Sequence, residues 1–431
     1  MYVDEGIKKY LEEKRASAHH RQMKGHWYHT YVDFVVRFLV PKGKKTLFID
    51  ESFVGFDDAD SYDYIIMSDI LGHAQDVEEF LRNAHIALVP SGRVVIIQYN
   101  FLWEPVLRLA SLIRLRIASI EQNWLSPHDL RNFLHLADFE VIREGNKMLL
   151  PVYVPLLSAF FNTILANIWP FSKLGLIHYV VARPIPSAAV NQPSLSIIVP
   201  ARNEAGTIER MVQELPSLGS FTEIIFIEGH SKDNTLEELA RVTEYYKGDR
   251  RISYAVQNGT GKGDAVRKGF AMATGDILTI YDADMTVPPK DVEKFYLAIV
   301  GDRGEFINGS RLVYPVEKGA MRVLNFFGNK FFSFAFTAIL GQPLKDTLCG
   351  TKMFWKKDYE SIQENRAFFG DFDPFGDFDL LFGAAKLNLK IVEVPIRYKE
   401  RVYGETNISR WKHGWLLLKM TVFAARKLKF W

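Results

Sequence analysis

Short apolar runs alternate with amphipathic stretches along the second half of the chain. Runs with the length of strands occur at 195–200, 223–227, 251–256 and 277–281, and helical patterns begin near Thr207 and Thr235. Strands that alternate with helices in this way are typical of a parallel sheet with crossover helices. The pattern therefore predicts an α/β domain.

The first half of the chain carries a shorter version of the same alternation. Apolar runs predict strands at 45–50, 62–67, 92–99 and 139–142, and helical patterns cover 77–88 and a stretch that begins after Leu125. We expect a second α/β domain here.

The segment Pro184–Pro193 lies between the two patterns, is rich in proline and has no charge. This composition predicts a linker. We therefore expect one domain at 1–183, a second at 194–410, and a basic amphipathic helix at 411–431.

Composition and net charge limit the classes of function that the chain can have. The 431 residues are 48% hydrophobic and 24% charged, with a net charge of +2. This balance is typical of globular domains and argues against general nucleic-acid binding. The single cysteine, Cys349, excludes an internal disulfide framework and fits a reducing compartment, so we expect a cytoplasmic protein.

Three segments bear on membrane contact. Residues 148–172 have no charge but are interrupted by prolines, which favours a buried or interfacial helical hairpin over a span. Segments 321–340 and 411–431 combine aromatic side chains with Lys and Arg, a composition typical of interfacial helices. We expect a peripheral protein on the inner face of the membrane.

Two carboxylates stand one residue apart where the apolar run 277–281 ends. Asp282 and Asp284 would lie at the carboxyl end of a strand, where ligands of open α/β sheets collect. Mg²⁺ commonly uses one or two carboxylates together with substrate phosphates. The spacing therefore indicates a metal–diphosphate site.

Further motifs surround this pair on both sides. Those that matter are Val199–Glu204, Glu228–Thr235, Gly261–Ala265, Asp282–Asp284, Gly309–Arg311, Asp346–Lys352, Glu393–Ile396 and Arg401–Asn407. In this order they resemble family 2 glycosyltransferases of the GT-A fold, most of all the dolichol- and polyprenyl-phosphate sugar synthases. The resemblance covers residues 194–410.

The resemblance implies a site for a nucleoside diphosphate sugar. It assigns nucleotide-sugar contacts to Pro200, Glu204, Glu228, Lys262, Asp264, Asp282 and Ala283, a divalent metal (Mg²⁺ or Mn²⁺) to Asp282 and Asp284, and a catalytic contact with the sugar and phosphates to Arg311. Gly229 stands where the family usually has a second Asp, so the resemblance does not assign the base.

On the acceptor side the resemblance leaves two alternatives. Asp377 or Asp379 would be the general base towards a hydroxyl acceptor, whereas a lipid phosphate is already ionised and has less need of a base. Lys352, Arg397 and Arg401 are the candidate contacts for an acceptor phosphate.

Residues 20–183 resemble, more faintly, a class I methyltransferase. Bulky Phe53 and Phe56 stand where that family has a Gly-rich loop, and the interval from Asp50 to Tyr62 is too short for two further strands. We expect a truncated Rossmann-like domain that does not bind S-adenosylmethionine and has a docking or structural role.

The leading hypothesis is a metal-dependent inverting glycosyltransferase that moves a sugar from a nucleoside diphosphate to a polyprenyl phosphate or similar membrane lipid. One rival is a family 2 enzyme with a saccharide hydroxyl acceptor, and another is a methyltransferase with a companion sugar-binding domain. A third is an inactive scaffold. The missing Gly-rich loop argues against the methyltransferase, and the Asp282/Asp284 pair argues against the scaffold.

Overall fold

The chain divides into two compact units, Met1–Ser187 with Phe430–Trp431, and Ala188–Lys429, called here the N-terminal and the C-terminal unit. The computed structural model describes residues 4–17, 26–49, 53, 55–56, 61–113, 123–185, 192–313, 323–368, 378–399, 401, 403 and 410–430. The linker predicted at 184–193 falls largely outside these ranges, and the domain limits stay a prediction.

The C-terminal unit is built on a sheet of seven strands. The strands are β6 (Leu195–Ala201), β7 (Thr222–Glu228), β8 (Arg251–Val256), β9 (Ile277–Ile280), β10 (Phe306–Ser310), β11 (Lys352–Trp355) and β12 (Ile391–Pro395). The helices are α7 (Ala205–Glu214), α8 (Thr235–Tyr245), α9 (Lys262–Met272), α10 (Val292–Val300), α11 (Val323–Leu340), α12 (Lys356–Glu364), α13 (Phe378–Lys386) and α14 (Arg410–Ala424).

The strand order in this sheet is β12-β10-β11-β9-β6-β7-β8, and every strand is parallel to the others except β11. Almost every residue of β6, β7 and β9 is buried. Strands that are buried on both faces have continuous apolar runs rather than alternating ones, which is why the sequence pattern located them. The predicted α/β class is confirmed.

The order of the strands reverses beside β6. From β6 the chain moves outward to β7 and β8, and then crosses to β9 on the other side of β6. The backbone N–H of Tyr281 donates to the carbonyl of Ile198 at 2.9 Å, so the ends of β9 and β6 are held side by side. A reversal of this kind opens a crevice at the carboxyl ends of the strands, where such sheets bind their ligands.

The N-terminal unit is built on a sheet of five strands. The strands are β1 (Thr46–Ile49), β2 (Tyr62–Ser68), β3 (Leu88–Tyr99), β4 (Phe139–Lys147) and β5 (Ile177–Pro184). The helices are α1 (Glu5–Ser17), α2 (His26–Leu39), α3 (Val77–Ile86), α4 (Glu104–Leu112), α5 (Pro127–Leu136) and the single turn α6 (Leu157–Ala159). The strand order is β1-β2-β3-β5-β4, and β5 is antiparallel to both its neighbours.

The helical hairpin predicted at 148–172 is wrong in form. The segment forms one irregular helix from Leu157 to Asn167, which changes from α to π to 3-10 geometry. A single further turn follows at Phe171–Leu174, so the segment has no second helix that would complete a hairpin. Proline lacks the backbone donor that a continuous helix needs, and Pro155 and Pro170 border these helical elements. None of the described helices combines the length and the hydropathy that a membrane span requires.

Aromatic side chains fill the region after β1 in the N-terminal unit. Phe53 and Phe56 are buried, and their ring centroids lie 5.1 Å apart, with Phe80 at 6.4 and 5.2 Å respectively. Glu51, Ser52 and Val54 of the predicted loop position 51–56 lie outside the described residues, as does Asp50 before it. A cluster of three buried rings is core packing.

We therefore expect no binding of S-adenosylmethionine to the full chain. The physical reason is that the rings of Phe53, Phe56 and Phe80 would have to separate before a cofactor could enter, at the cost of their buried contacts. Isothermal titration calorimetry measures this directly, with a titration of a nucleoside diphosphate and Mn²⁺ as the positive control. A micromolar dissociation constant for S-adenosylmethionine would contradict the expectation.

Candidate active site

Three carboxylates border the crevice between β6 and β9. Glu204 follows β6, and Asp282 and Asp284 follow β9. Because the two strands are parallel neighbours, their carboxyl ends lie at the same edge of the sheet. The structure thus places Glu204 and the Asp pair in one site, as the sequence predicts.

Glu204 is a buried acid with one oxygen in use. It stands directly before α7 without capping it, and its backbone N–H donates to Thr235 Oγ1 at 3.0 Å. Its Oε1 accepts from Arg401 Nη2 at 2.9 Å, while its Oε2 has no hydrogen-bond partner among the described residues. Burial raises the pKa of Glu204 to about 7; Arg401 opposes the shift and the nearby Asp284 adds to it.

Asp282 forms an ion pair with the lysine at the start of α9. Lys262 Nζ lies 2.6 Å from Asp282 Oδ1, and it follows Gly261, whose φ of +88° is in the region that favours glycine. Burial would raise the pKa of Asp282, but attraction to Lys262, and then to Lys352 and Arg311, lowers it overall. Asp282 is therefore held as a carboxylate.

Gly350 lies against this ion pair. A Cβ on Gly350 would be 2.1 Å from Asp282 Oδ2 and 2.6 Å from Lys262 Nζ, which is too close for either contact. Only glycine fits here without displacing the pair.

Asp284 is held from two sides. Its Oδ1 accepts from the backbone N–H of Thr286 at 3.2 Å and from Thr286 Oγ1 at 2.8 Å. Its Oδ2 accepts from Arg401 Nη2 at 3.2 Å. One guanidinium therefore bridges the carboxylate after β6 and the carboxylate after β9. Arg401, which the sequence suggested for an acceptor phosphate, lies in the same crevice as the carboxylates.

The segment that carries Arg401 also packs on the start of α7. The hydroxyl of Tyr403 donates to Asp233 Oδ2 at 3.3 Å. A Cβ on Gly206 would meet the Tyr403 ring at 2.6 Å, so that the ring lies directly on the backbone there. Asp233 also accepts from the backbone N–H of Thr235 at 3.1 Å.

Arg311 is oriented by a buried acid, Asp346, whose individual role the sequence does not indicate. Its Nε and Nη2 donate to the two oxygens of Asp346 at 2.7 and 2.8 Å, and its guanidinium lies 5.2 Å from the centre of the Tyr398 ring. Glu393 holds Asp346 in turn, because it accepts the Asp346 backbone N–H at 2.8 Å. Burial would raise the pKa of Asp346, but Arg311 lowers it below the usual range.

Glu228 and Asp264, two of the predicted nucleotide contacts, accept hydrogen bonds from the backbone of loops beside the crevice. Glu228 accepts backbone N–H groups from His230 at 3.1 Å and Ser231 at 2.6 Å. Asp264 accepts the backbone N–H of Gly259 at 2.8 Å. Pro200 lies half-buried on β6 and Ala283 is buried between the two aspartates, positions that a ligand would meet mainly through the backbone.

The described acceptor-side candidates lie on different elements. Asp379 is in the first turn of α13, lies 4.0 Å from Arg366 Nε, and lines a small cavity with residues of α9 and α12. Lys352 is buried on β11 and donates to the carbonyl of Cys349. Arg397 is exposed just after β12, and Asp377 lies outside the described residues.

The donor set fits a divalent cation that binds together with a diphosphate. No group of three or more His, Cys, Asp or Glu side chains arranged to hold a metal occurs in the part of the chain that the structure describes. Asp282 and Asp284 supply two carboxylates, which is the number that Mg²⁺ commonly takes from a protein when phosphates complete its shell. Each carboxylate already contacts a cationic side chain, Asp282 that of Lys262 and Asp284 that of Arg401.

The raised pKa of Glu204 predicts a specific pH dependence of stability. The folded protein binds this proton more tightly than the unfolded chain, so stability falls as the pH rises from about 4.5 to about 7. Glu204→Gln should reduce this fall, while Glu237→Gln, at an exposed position on α8, should not. Urea unfolding in EDTA at several pH values measures the slope, and equal slopes in wild type and Glu204→Gln would contradict the assignment.

Two family models match separate parts of the chain. Residues 196–363 match the model described as glycosyl transferase family 2, and residues 15–144 match one described as a methyltransferase domain.

Curated relatives are similar to about half of the chain. Glycosyltransferase AglJ of Haloferax volcanii is 29% identical over 227 residues, which is 52% of this chain and 69% of the relative. The dolichyl-phosphate beta-glucosyltransferase of Saccharomyces cerevisiae is 27% identical over 259 residues, 51% of this chain and 72% of the relative. The UDP-N-acetylglucosamine–dolichyl-phosphate N-acetylglucosaminyltransferase of Methanococcus voltae is 28% identical over 228 residues, 50% of this chain and 88% of the relative.

A distant likeness to solved structures was also found. Glucosyl-3-phosphoglycerate synthase from Mycobacterium tuberculosis, crystallised with Mn²⁺, UDP and glucosyl-3-phosphoglycerate, is 17% identical, with a TM-score of 0.40 over 55% of this chain and 80% of the other. The family matches confirm the two resemblances seen in the sequence: the chain is a glycosyltransferase with a domain of glycosyl transferase family 2, joined to a methyltransferase-type domain.

Proposed function

We propose that the C-terminal unit transfers a sugar, with inversion, from a nucleoside diphosphate to a polyprenyl phosphate at a membrane surface. The observation that carries the proposal is the crevice between β6 and β9, where Glu204, Asp282 and Asp284 meet Lys262 and Arg401. Acids suited to a metal and cations suited to phosphates alternate there. The names of the yeast and Methanococcus relatives, which both include dolichyl phosphate, support the choice of acceptor.

Donor binding would exchange the partners of these side chains. Asp282 and Asp284 would hold a divalent cation, Mg²⁺ or Mn²⁺, which offsets the charge on the departing diphosphate. Lys262 now neutralises Asp282 and Arg401 neutralises Asp284. Lys262 would be released to contact the diphosphate, and Arg401 would be released to meet the acceptor phosphate. Because cation and diphosphate enter together, the charge of the crevice stays nearly balanced throughout.

The acceptor side favours a nucleophile that is already ionised. A phosphate oxygen attacks the anomeric carbon without prior loss of a proton, so this chemistry needs no general base. Asp379 lies beside Arg366 and lines a cavity with residues of α9 and α12. Arg311 and Lys352 lie close enough to Asp282 to lower its pKa. Together with Arg401 they would supply positive charge for an incoming anion.

The C-terminal helix offers a surface for lipid. Trp415 is exposed on α14, and Lys419 Nζ lies 5.7 Å from the centre of its ring. The helix lines a groove of about 260 Å³, formed by Trp415, Leu418, Lys419, Val422, Phe423 and Arg426. Aromatic and aliphatic side chains beside Lys and Arg suit the boundary between lipid tails and anionic headgroups. We infer that α14 lies on the inner face of a membrane.

One observation supports the alternative function, transfer of the sugar to a saccharide hydroxyl. Asp379 at the start of α13 is a carboxylate that could act as a base if the segment before it, including Asp377, brought a hydroxyl close. The two functions therefore differ in which side chains are essential.

Replacing a metal-binding carboxylate should abolish transfer without unfolding the protein. Asp284→Ala should lower kcat by about a hundredfold or more, since charge stabilisation of the leaving diphosphate is lost. Transfer is measured with a radiolabelled nucleotide sugar and polyprenyl phosphate, and circular dichroism checks the fold. Asp249→Ala, at an exposed position, is the matched control. Undiminished activity of Asp284→Ala, or of wild type in EDTA, would remove the metal from the mechanism.

The acceptor class is decided by comparing Arg401 with the acids near α13. Arg401→Ala should lower kcat/KM for polyprenyl phosphate by roughly ten- to a hundredfold, the effect of one charge-assisted contact, with a smaller effect on the Kd of the nucleotide sugar. Arg401→Lys, which keeps the charge, should be milder.

Asp377→Asn and Asp379→Asn should retain most activity if the acceptor is a phosphate. If either Asn variant is inactive while Arg401→Ala is nearly normal, the acceptor is a hydroxyl and the lipid-phosphate proposal fails.

A further inference from the structure

One segment of the N-terminal unit has its polar side chains inside and its apolar side chains outside. Between residues 152 and 174, Ser158 and Asn162 are each only 2% exposed. In the same segment Leu156 is 87% exposed and Trp169 is 74% exposed. A surface in water normally has the opposite distribution, and an exposed apolar patch is the observation that needs an explanation.

The buried polar side chains satisfy the irregular backbone. Asn162 accepts the backbone N–H of Leu150 at 2.8 Å and donates to its carbonyl at 2.9 Å. Ser158 accepts the N–H of Val154 at 2.7 Å and donates to the carbonyl of Val152 at 2.8 Å. Backbone that contacts lipid must find its hydrogen bonds within the protein, because hydrocarbon offers none. These side chains meet that requirement.

A second apolar segment begins beside the first. Trp103 Nε1 donates to the carbonyl of Leu174 at 2.7 Å, so the start of α4 is fixed against the end of the first segment. No residue of α4 is buried. Exposed apolar side chains recur at helical spacing from the turn before α4 to the residue after it, at Leu102, Val106, Leu109 and Ile113. We call residues 101–113 and 152–174 together the apolar surface.

The charges around the apolar surface are mostly positive. Its only acid is Glu104, which pairs with Arg108 at 2.6 Å, and Lys173 is exposed at the end of the first segment. In the sequence Arg114 and Arg116 follow the second segment directly. An apolar face bordered by cations complements a bilayer with anionic headgroups, whereas a protein partner would need polar groups within the patch to match its own.

We propose that the apolar surface of the N-terminal unit is a membrane-docking surface that inserts into the interface of an anionic bilayer. The segments would lie in the boundary between headgroups and tails, with Trp169 and Tyr153 at the level where aromatic side chains concentrate. Arg108 and Lys173 would face the headgroups. This surface belongs to a different unit from the transfer site and does not depend on the reaction proposed for that site.

The test uses the full chain and sucrose-loaded vesicles of phosphatidylcholine with phosphatidylglycerol, and of phosphatidylcholine alone. Leu109→Gln/Leu156→Gln places an amide on each segment. The matched control, Ile86→Gln/Leu297→Gln, makes the same change at two other exposed apolar positions. The test variant should lose at least about tenfold in partition onto the anionic vesicles, since two buried apolar side chains are removed. The control should bind like wild type.

Quenching by brominated phosphatidylcholine locates the contact. Trp169→Phe should remove a measurable part of the tryptophan quenching, which binding through α14 alone would not produce. Equal vesicle binding of test and control variants, or no binding by wild type, would overturn the proposal. So would a dimer in light scattering that the test variant dissociates while its vesicle binding is unchanged, because the surface would then join two copies.

Transfer to a short-chain polyprenyl phosphate in detergent separates this proposal from the proposed function. The test variant should keep wild-type activity there, since neither substituted residue lies in the C-terminal unit. An inactive wild type in this assay would count against the proposed transfer reaction and leave the vesicle result to stand on its own.

Discussion

The crowding of three acids in the crevice between β6 and β9 is the constraint on which the site depends. Glu204, Asp282 and Asp284 are brought together because their strands are parallel neighbours, and like charges in a partly buried site repel one another. Lys262 and Arg401 offset that repulsion. Each cation reaches the crevice through a local device: Gly261 allows the turn before Lys262, and Tyr403 packs on Gly206 beside Arg401.

This balance explains why the crevice suits a metal–diphosphate pair. A free anion would be repelled by the three acids, and a free cation would have to compete with Lys262 and Arg401 for the carboxylates. A cation and a diphosphate together would satisfy both sets, because the cation would bind the carboxylates and phosphate oxygens would bind the basic side chains that the carboxylates release. Burial raises the pKa of Glu204, Arg401 opposes the shift and the neighbouring Asp284 adds to it.

The sequence predicts the fold of the C-terminal unit well, because β6, β7 and β9 are buried on both faces and so appear as continuous apolar runs. It also predicts which acids end those strands. It does not predict the partners. Arg401 and Glu204 are 197 positions apart, and Arg311 and Asp346 are 35 apart, so their pairing depends on how the loops close.

A prediction from residue types also fails where polar side chains are buried and apolar side chains are exposed. At 148–172 the absence of charge and the prolines indicated a hairpin, yet the structure has one irregular helix whose surroundings are tied by Asn162 and Ser158. Polar residues there mark the inside, so hydropathy alone assigns the faces wrongly.

The N-terminal unit keeps a methyltransferase-type sheet, and Phe53, Phe56 and Phe80 pack as part of its core. A domain of this kind can also supply binding energy towards a membrane. A lipid acceptor is confined to a plane, so an enzyme held on that plane meets it at a much higher effective concentration. One weak interfacial contact gives only marginal binding, whereas two contacts on one chain reinforce each other. On this argument a docking surface on the N-terminal unit and one on α14 would each add to the affinity of the chain for lipid.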